Sequence, residues 1–179
     1  MKRALRTLAV VFGVVVFGIC CYLAGVYSAA RSDVGLQIFE AVGTDLRPDP
    51  IDATELERLV NAERVQLNMS ELPHSDLLTA SACLKLDDMA AKNYWAHTSP
   101  DGTEPWTFFQ QAGYSYRNAG ENLAYGQLSA DMVVSQWMAS PGHRANIVGD
   151  YREQGICSKV VKFQGGYRNL MVHHFGTPY

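Results

Sequence analysis

Three residues pair titratable or metal-ligating side chains with closely punctuated neighbours: His97 in YWAHTSPDG, Glu121 in GENLAYG (Gly120 to Gly126) and His143 in SPGHRANI. Two imidazoles brought together would suit zinc or another divalent cation, with water completing the shell. Glu121 could then orient an imidazole or act as a base toward bound water. Two histidines supply fewer protein ligands than the three of a catalytic zinc centre, so any ion would be weakly bound. The alternative for Glu121 is structural: a carboxylate that accepts hydrogen bonds from histidine and backbone donors. An obvious nucleophile is missing. Ser99 and Ser140 lie near the two histidines, but their turn and cap positions account for them fully.

The elements that must position these residues follow from spacing. Asp52 with Glu55 forms a capping box, Ile51 and Leu56 a hydrophobic staple, and Leu56, Leu59, Val60 and Leu67 one apolar face, which predicts a helix over about Ala53 to Leu67. Its charges Glu57, Arg58, Glu63 and Arg64 read as a solvated set. A second helix is expected from Ser75 or Asp76 to about Tyr94, with Leu78, Ala82, Leu86 and Met89 as its stripe, and His74 exposed at its start. It runs out before His97, and Ser99-Pro100-Asp101-Gly102 reads as a turn. A short helix follows from Pro105 or Trp106 to Ala112. Another begins after Ser129, buries Met132, Val133 and Trp137, and ends at Ser140-Pro141, whose next turn carries His143 at its third residue. Asn122 reads as a turn residue and Asn146 as a helix-end clamp. Trp95, Trp106 and Trp137 read as core packing.

The period changes near the C-terminus. Glu153 to Phe163 and Tyr167 to Phe175 are β-rich runs joined by Gln164-Gly165-Gly166, a hairpin signal. His173 and His174 fall on opposite faces, so at most one can point into a shared site. Helices followed by an antiparallel hairpin imply an α+β domain with helices layered on a small sheet.

The N-terminus addresses export. Leu8 to Ala30 is 23 residues without a charge, preceded by Lys2, Arg3 and Arg6. It is longer than the core of a cleaved signal peptide, about 7 to 15 residues, and matches the roughly 20 needed to span a bilayer. The expectation is a transmembrane anchor over residues 1–30, with cleavage near Ala30 as the alternative, then a linker over 31–50 and a folded domain over 51–179. Residues 31–179 carry 12 Lys and Arg against 18 Asp and Glu. Such an acidic balance excludes a nucleic-acid binder, which needs a basic stripe. Cys83 and Cys157 are the only cysteines in the exported part, and an oxidising compartment permits a disulfide between them.

HTSPDG with PW shortly after, AGY, GENLAYG, VVxxWMxSPGHRANI, YxxxGI and a terminal strand ending FG together resemble the bacterial, SCP-like branch of the CAP superfamily. This group is similar in fold to cysteine-rich secretory proteins, antigen 5 and pathogenesis-related 1 proteins. The resemblance covers about Ile51 to Gly176. It implies a three-layer α-β-α sandwich with a central, mainly antiparallel sheet, in an extracellular or envelope-facing domain. It also implies a cleft with two histidines and two acids that sometimes holds zinc or another divalent ion. By motif these map to His97, Glu121 and His143, while Ser140 stands where the second acid would be.

Three functions are compatible with these residues. One is an envelope binding module recognising a lipid, glycan, peptide or protein, tethered to the membrane through the N-terminal segment. A second is a metal-assisted hydrolase using His97, Glu121 and His143. The third is a structural domain with a vestigial site.

Overall fold

The computed structural model describes residues 47–127 and 129–179. In chain order they form α1 (Ala53–Gln66), α2 (Asp76–Lys92), α3 (Pro105–Gln111), β1 (Tyr116–Tyr125), α4 (Ala130–Ala139), α5 (Pro141–Ile147), β2 (Glu153–Phe163) and β3 (Gly166–Pro178). The strands make one antiparallel sheet in the order β1-β3-β2, so the expected C-terminal hairpin supplies the central strand and one edge.

The other edge is the difference from expectation. GENLAYG does not make the turn that Asn122 suggested: Gly120 to Tyr125 lie in β1, in register with β3 from Phe175 to Leu170, and Gly126 ends the strand at φ +77°. The reason is burial. Glu121 to Ala124 are buried, and such a run lacks the polar alternation that marks a half-exposed strand.

Alternation along β3 divides the core. Leu170 and Val172 pack with Ala82, Leu86 and Met89 of α2, whereas Met171 and Phe175 pack with Leu56 and Val60 of α1 and Val133, Val134 and Trp137 of α4. The sheet therefore lies between two helical layers, and the α+β sandwich is as expected. Cys83 of α2 is bonded to Cys157 of β2, fastening one layer to the sheet across 74 residues of sequence.

Local signals explain the helix ends. The Asp52 side chain accepts from Thr54 N at 2.9 Å and caps α1, while Glu55 pairs with Arg58 rather than closing the box. Asn93, at φ 52°, ends α2 one residue short of Tyr94. The α1 charges divide. Glu57 is buried and accepts from Ile156 N at 3.1 Å, and Arg64 is buried with its guanidinium donating to the carbonyls of Ser70, Ile147 and Gly149. Reading both as solvated was wrong, because each satisfies backbone groups where elements meet.

The expected membrane anchor is corrected. Among the described residues no helix is long and apolar enough to cross a membrane, and the stretch from Leu8 to Ala30 on which the tether rested lies outside them. The membrane-tethered localisation and the membrane as a partner have no support among the described residues and are not carried further. Of the expected linker, residues 47–50 are described, and they lie against the domain: Arg47 donates to the Tyr167 hydroxyl at 3.0 Å, and Asp49 O accepts from Asn169 at 2.9 Å.

Candidate functional site

Glu121 is the centre of the site. Its side chain, 2% exposed, reaches the α2 face of the sheet and accepts from two imidazoles: His97 Nδ1 on Oε1 at 2.6 Å and His174 Nε2 on Oε2 at 3.0 Å. The β1–β3 register places Glu121 directly opposite His174. Behind it, His174 Nδ1 lies 2.8 Å from Ser81 Oγ of α2, and Phe109 of α3 stacks on the imidazole at 4.2 Å. Four side chains thus form a continuous chain from buried Ser81 to His97, which is 57% exposed.

Electrostatics favour an ionised carboxylate at its middle. Burial alone would raise the Glu121 pKa, but hydrogen bonds from His174 and His97 and the charges of His174 and Lys85 outweigh it and hold the group below its ordinary value. Burial lowers the His174 pKa against the opposing pull of Glu121. His143 is also lowered, by burial first and then by the charge of His97.

The segment carrying His97 is held from below. Lys85 of α2 is fully buried, and its ammonium donates to the carbonyls of Ala96 at 2.9 Å and His97 at 2.5 Å and to the Tyr94 hydroxyl at 2.9 Å. Beside it, Asp88 accepts from Ser99 Oγ at 2.5 Å and Tyr94 OH at 2.6 Å. The other histidine is tied to the floor through the backbone, since Asn122 Nδ2 donates to the His143 carbonyl at 3.0 Å. Asn146 Nδ2 donates to Glu121 O at 2.9 Å and Asn122 Oδ1 at 2.8 Å, which makes it a clamp between α5 and β1. Gly120 permits this approach, because a Cβ there would stand 2.5 Å from the Tyr151 hydroxyl and 2.9 Å from Asn146 Oδ1. Asn122 is a fully buried strand residue, not the turn residue expected.

Next to His143 opens a groove of about 320 Å³, bounded by Trp95, Leu123, Tyr125, Val133, Trp137 and Ser140 among others. Trp95 and Tyr125 meet at 4.6 Å between ring centroids. Trp137 is buried, with Nε1 donating to Leu123 O at 3.1 Å. His173 points to the opposite face, against Phe175 and Trp137. His74 pairs with Glu57 and Asp76, away from this chain.

The expected divalent ion does not fit. Among the described residues no group of three or more His, Cys, Asp or Glu side chains could hold a metal. Both Glu121 oxygens are engaged by imidazoles, and a serine stands at the second acid's place. The assignment of zinc or another divalent cation to His97 and His143 is withdrawn, and the metal-assisted hydrolase falls with it.

His174 was left open beside His173, and Ser81 and Lys85 were missed from sequence. A signal existed for two of them: Ser81 and Lys85 interrupt the helical stripe Leu78, Ala82, Leu86, Met89 at inward positions, and a buried polar residue requires a partner. His174 needed the register.

The model of the cysteine-rich secretory protein family, CAP, matches residues 57–175. The chain belongs to the CAP family. This CAP domain is 40% identical over 107 residues to YkwD of Bacillus subtilis, covering 59% of this chain and 42% of that protein. To the membrane protein YlbC of the same organism it is 27% identical over 99 residues, covering 55% and 29%. The chain thus spans less than half the length of these curated relatives. Among solved structures, an outer surface protein of Borrelia burgdorferi matches with a TM-score of 0.62 at 24% identity, covering 74% of this chain and 99% of that one. An extracellular protein of Bacillus anthracis containing an SCP domain matches with a TM-score of 0.60 at 21% identity, covering 70% and 40%. At these identities the two structures support the CAP fold alone.

Proposed function

We propose that this CAP domain is an extracellular binding module whose cleft takes a short amphipathic peptide segment, with an apolar side chain in the groove and hydrogen-bonding groups toward His143 and His97. The observation that carries the reading is the groove itself, aromatic on one wall, apolar on its floor and bordered by His143. Sites of this composition, with few polar groups at one end, orient a ligand while burying its apolar part. The Cys83–Cys157 disulfide favours an oxidising compartment. Acyl transfer has less support. Ser99 is buried and engaged by Asp88 and Tyr94, so its hydroxyl is not available to a histidine base.

The test uses N-acetyl-L-tryptophan amide, an aromatic ring on a peptide-like frame, titrated into the 15N-labelled protein. Saturable shifts are expected at the indoles of Trp95 and Trp137, at Tyr125 and at His143. Trp95→Ala, which removes one wall, should weaken binding by roughly tenfold, about 1.4 kcal/mol. Shifts that do not saturate, or that fall outside the groove, would exclude the reading and leave a structural domain.

A further inference from the structure

With Glu121 ionised and both imidazoles neutral, the chain from Ser81 to His97 admits one arrangement of protons. Glu121 as carboxylate can only accept, so both imidazole nitrogens facing it carry hydrogen. For neutral His174 this leaves Nδ1 bare, and the Ser81 hydroxyl at 2.8 Å must be its donor. For neutral His97 the proton lies on Nδ1, and Nε2 is bare on a side chain that is more than half exposed. Nothing in this order depends on His97 alone. His174 is fully buried, stacked on Phe109 and tied to α2 through Ser81, so it is the anchored member, and Glu121 bridges it to the exposed His97.

We propose that His174 is a positioning residue of the cleft: with Ser81 behind it, it orients Glu121 so that His97 is held as the Nδ1–H tautomer, and the bare Nε2 of His97 accepts a hydrogen bond from a hydroxyl, amide or amine donor of the ligand. The ligand class follows from that atom. A group presenting only acceptors meets a lone pair at His97, whereas a donor completes the chain that begins at Ser81. Lys85 supports the same geometry from the backbone side, since it grips the His97 carbonyl while Glu121 grips the ring. The donor preference rests on the peptide-binding reading above; the tautomer does not.

The experiment is long-range 1H–15N correlation of the histidine rings in the folded protein, which reports which nitrogen carries the proton. His97 is expected as Nδ1–H and His174 as Nε2–H. His174→Phe, which keeps the ring stacked on Phe109 but removes the donor, should shift His97 toward the Nε2–H tautomer. His174→Gln, whose amide can donate at the place of Nε2, should restore the wild-type pattern. Ser81→Ala is the second probe should the phenylalanine variant not fold, and it should move the His174 resonances first. A wild-type His97 protonated on Nε2, or a His97 tautomer indifferent to His174→Phe and Ser81→Ala, overturns the proposal. In a parallel arm, N-acetyl-L-tryptophan amide should bind more tightly than its methyl ester, which lacks the terminal donor, and equal binding overturns the donor preference. Assigned tautomers without groove shifts from either compound would support the positioning role while removing the peptide-binding reading.

Discussion

At the scale of single residues, the two adjacent histidines of β3 show how one register step changes chemistry. His174 meets Ser81 and Glu121, while His173, equally buried, has no hydrogen-bond partner among the described residues for either ring nitrogen, and its ring centroid lies 3.7 Å from that of Phe175. Burial, then the charge of His174, lowers the His173 pKa well below its ordinary value, and burial lowers that of His174. The consequence for stability has a definite sign. In the unfolded chain these rings take up protons below about pH 6.5, whereas the folded state resists them, so the unfolded state binds more protons and stability is lost as the pH is lowered. Each histidine contributes up to ~1.4 kcal/mol per pH unit in that window. Below about pH 4.5 Glu121 adds to the loss, because its pKa is also lowered on folding. Urea denaturation of wild type and His173→Phe at about pH 7 and about pH 5 should show a smaller drop for the variant. Equal drops would mean that His173 is not kept neutral by burial.

At the scale of elements, the site depends on how closely α2 approaches β2. Gly155 of β2 pairs with His174, and a Cβ on it would fall on Thr79 N and stand 2.6 Å from Leu78 C, both in the backbone of α2. The parallel bridge between His74 and Gln154 fastens the same junction, with Ser75 N donating to Gln154 O at 2.8 Å. A backbone obstacle cannot rotate away as a side chain can. Gly155→Ala should therefore lower the unfolding free energy by about 1–3 kcal/mol or more and shift the imidazole resonances of His174, since helix and strand must separate beside it. A substitution that leaves both the urea midpoint and those resonances unchanged would show that α2 is free to move. The element scale also explains why Ser81 and Lys85 occur inside an apolar stripe. Both face the site, and both find partners there, one on a ring and one on backbone carbonyls.

At the scale of the whole molecule, the Cys83–Cys157 bond ties a helical layer to the sheet that carries the site. Closing a loop with a sequence separation of 74 restricts the unfolded chain, and the chain-entropy account puts the effect at about 4 kcal/mol. Reduction with dithiothreitol should lower the melting temperature substantially while leaving the strand register, read from backbone nuclear Overhauser contacts, in place. A melting temperature indifferent to reductant would mean that the reduced unfolded chain is already compact. The same scale divides what was legible in advance. Capping residues, apolar periodicity and the Gly-containing hairpin turn are local, and they placed α1, α2, the turn before α5 and the β2–β3 hairpin close to where they lie. The motif series around His97, Glu121 and His143 pointed to the family that the match over residues 57–175 establishes. Only tertiary structure decided that GENLAY is a strand, because a run buried on both faces carries no period that distinguishes it from a loop or helix core. It alone decided that His174 rather than a second acid completes the polar set, because pairing Glu121 with His174 requires a strand register across 53 residues of sequence. That no group among the described residues fits a metal has the same origin. Residue types allow two imidazoles and a carboxylate to bind an ion, but the hydrogen bonds that take both carboxylate oxygens are made by the fold.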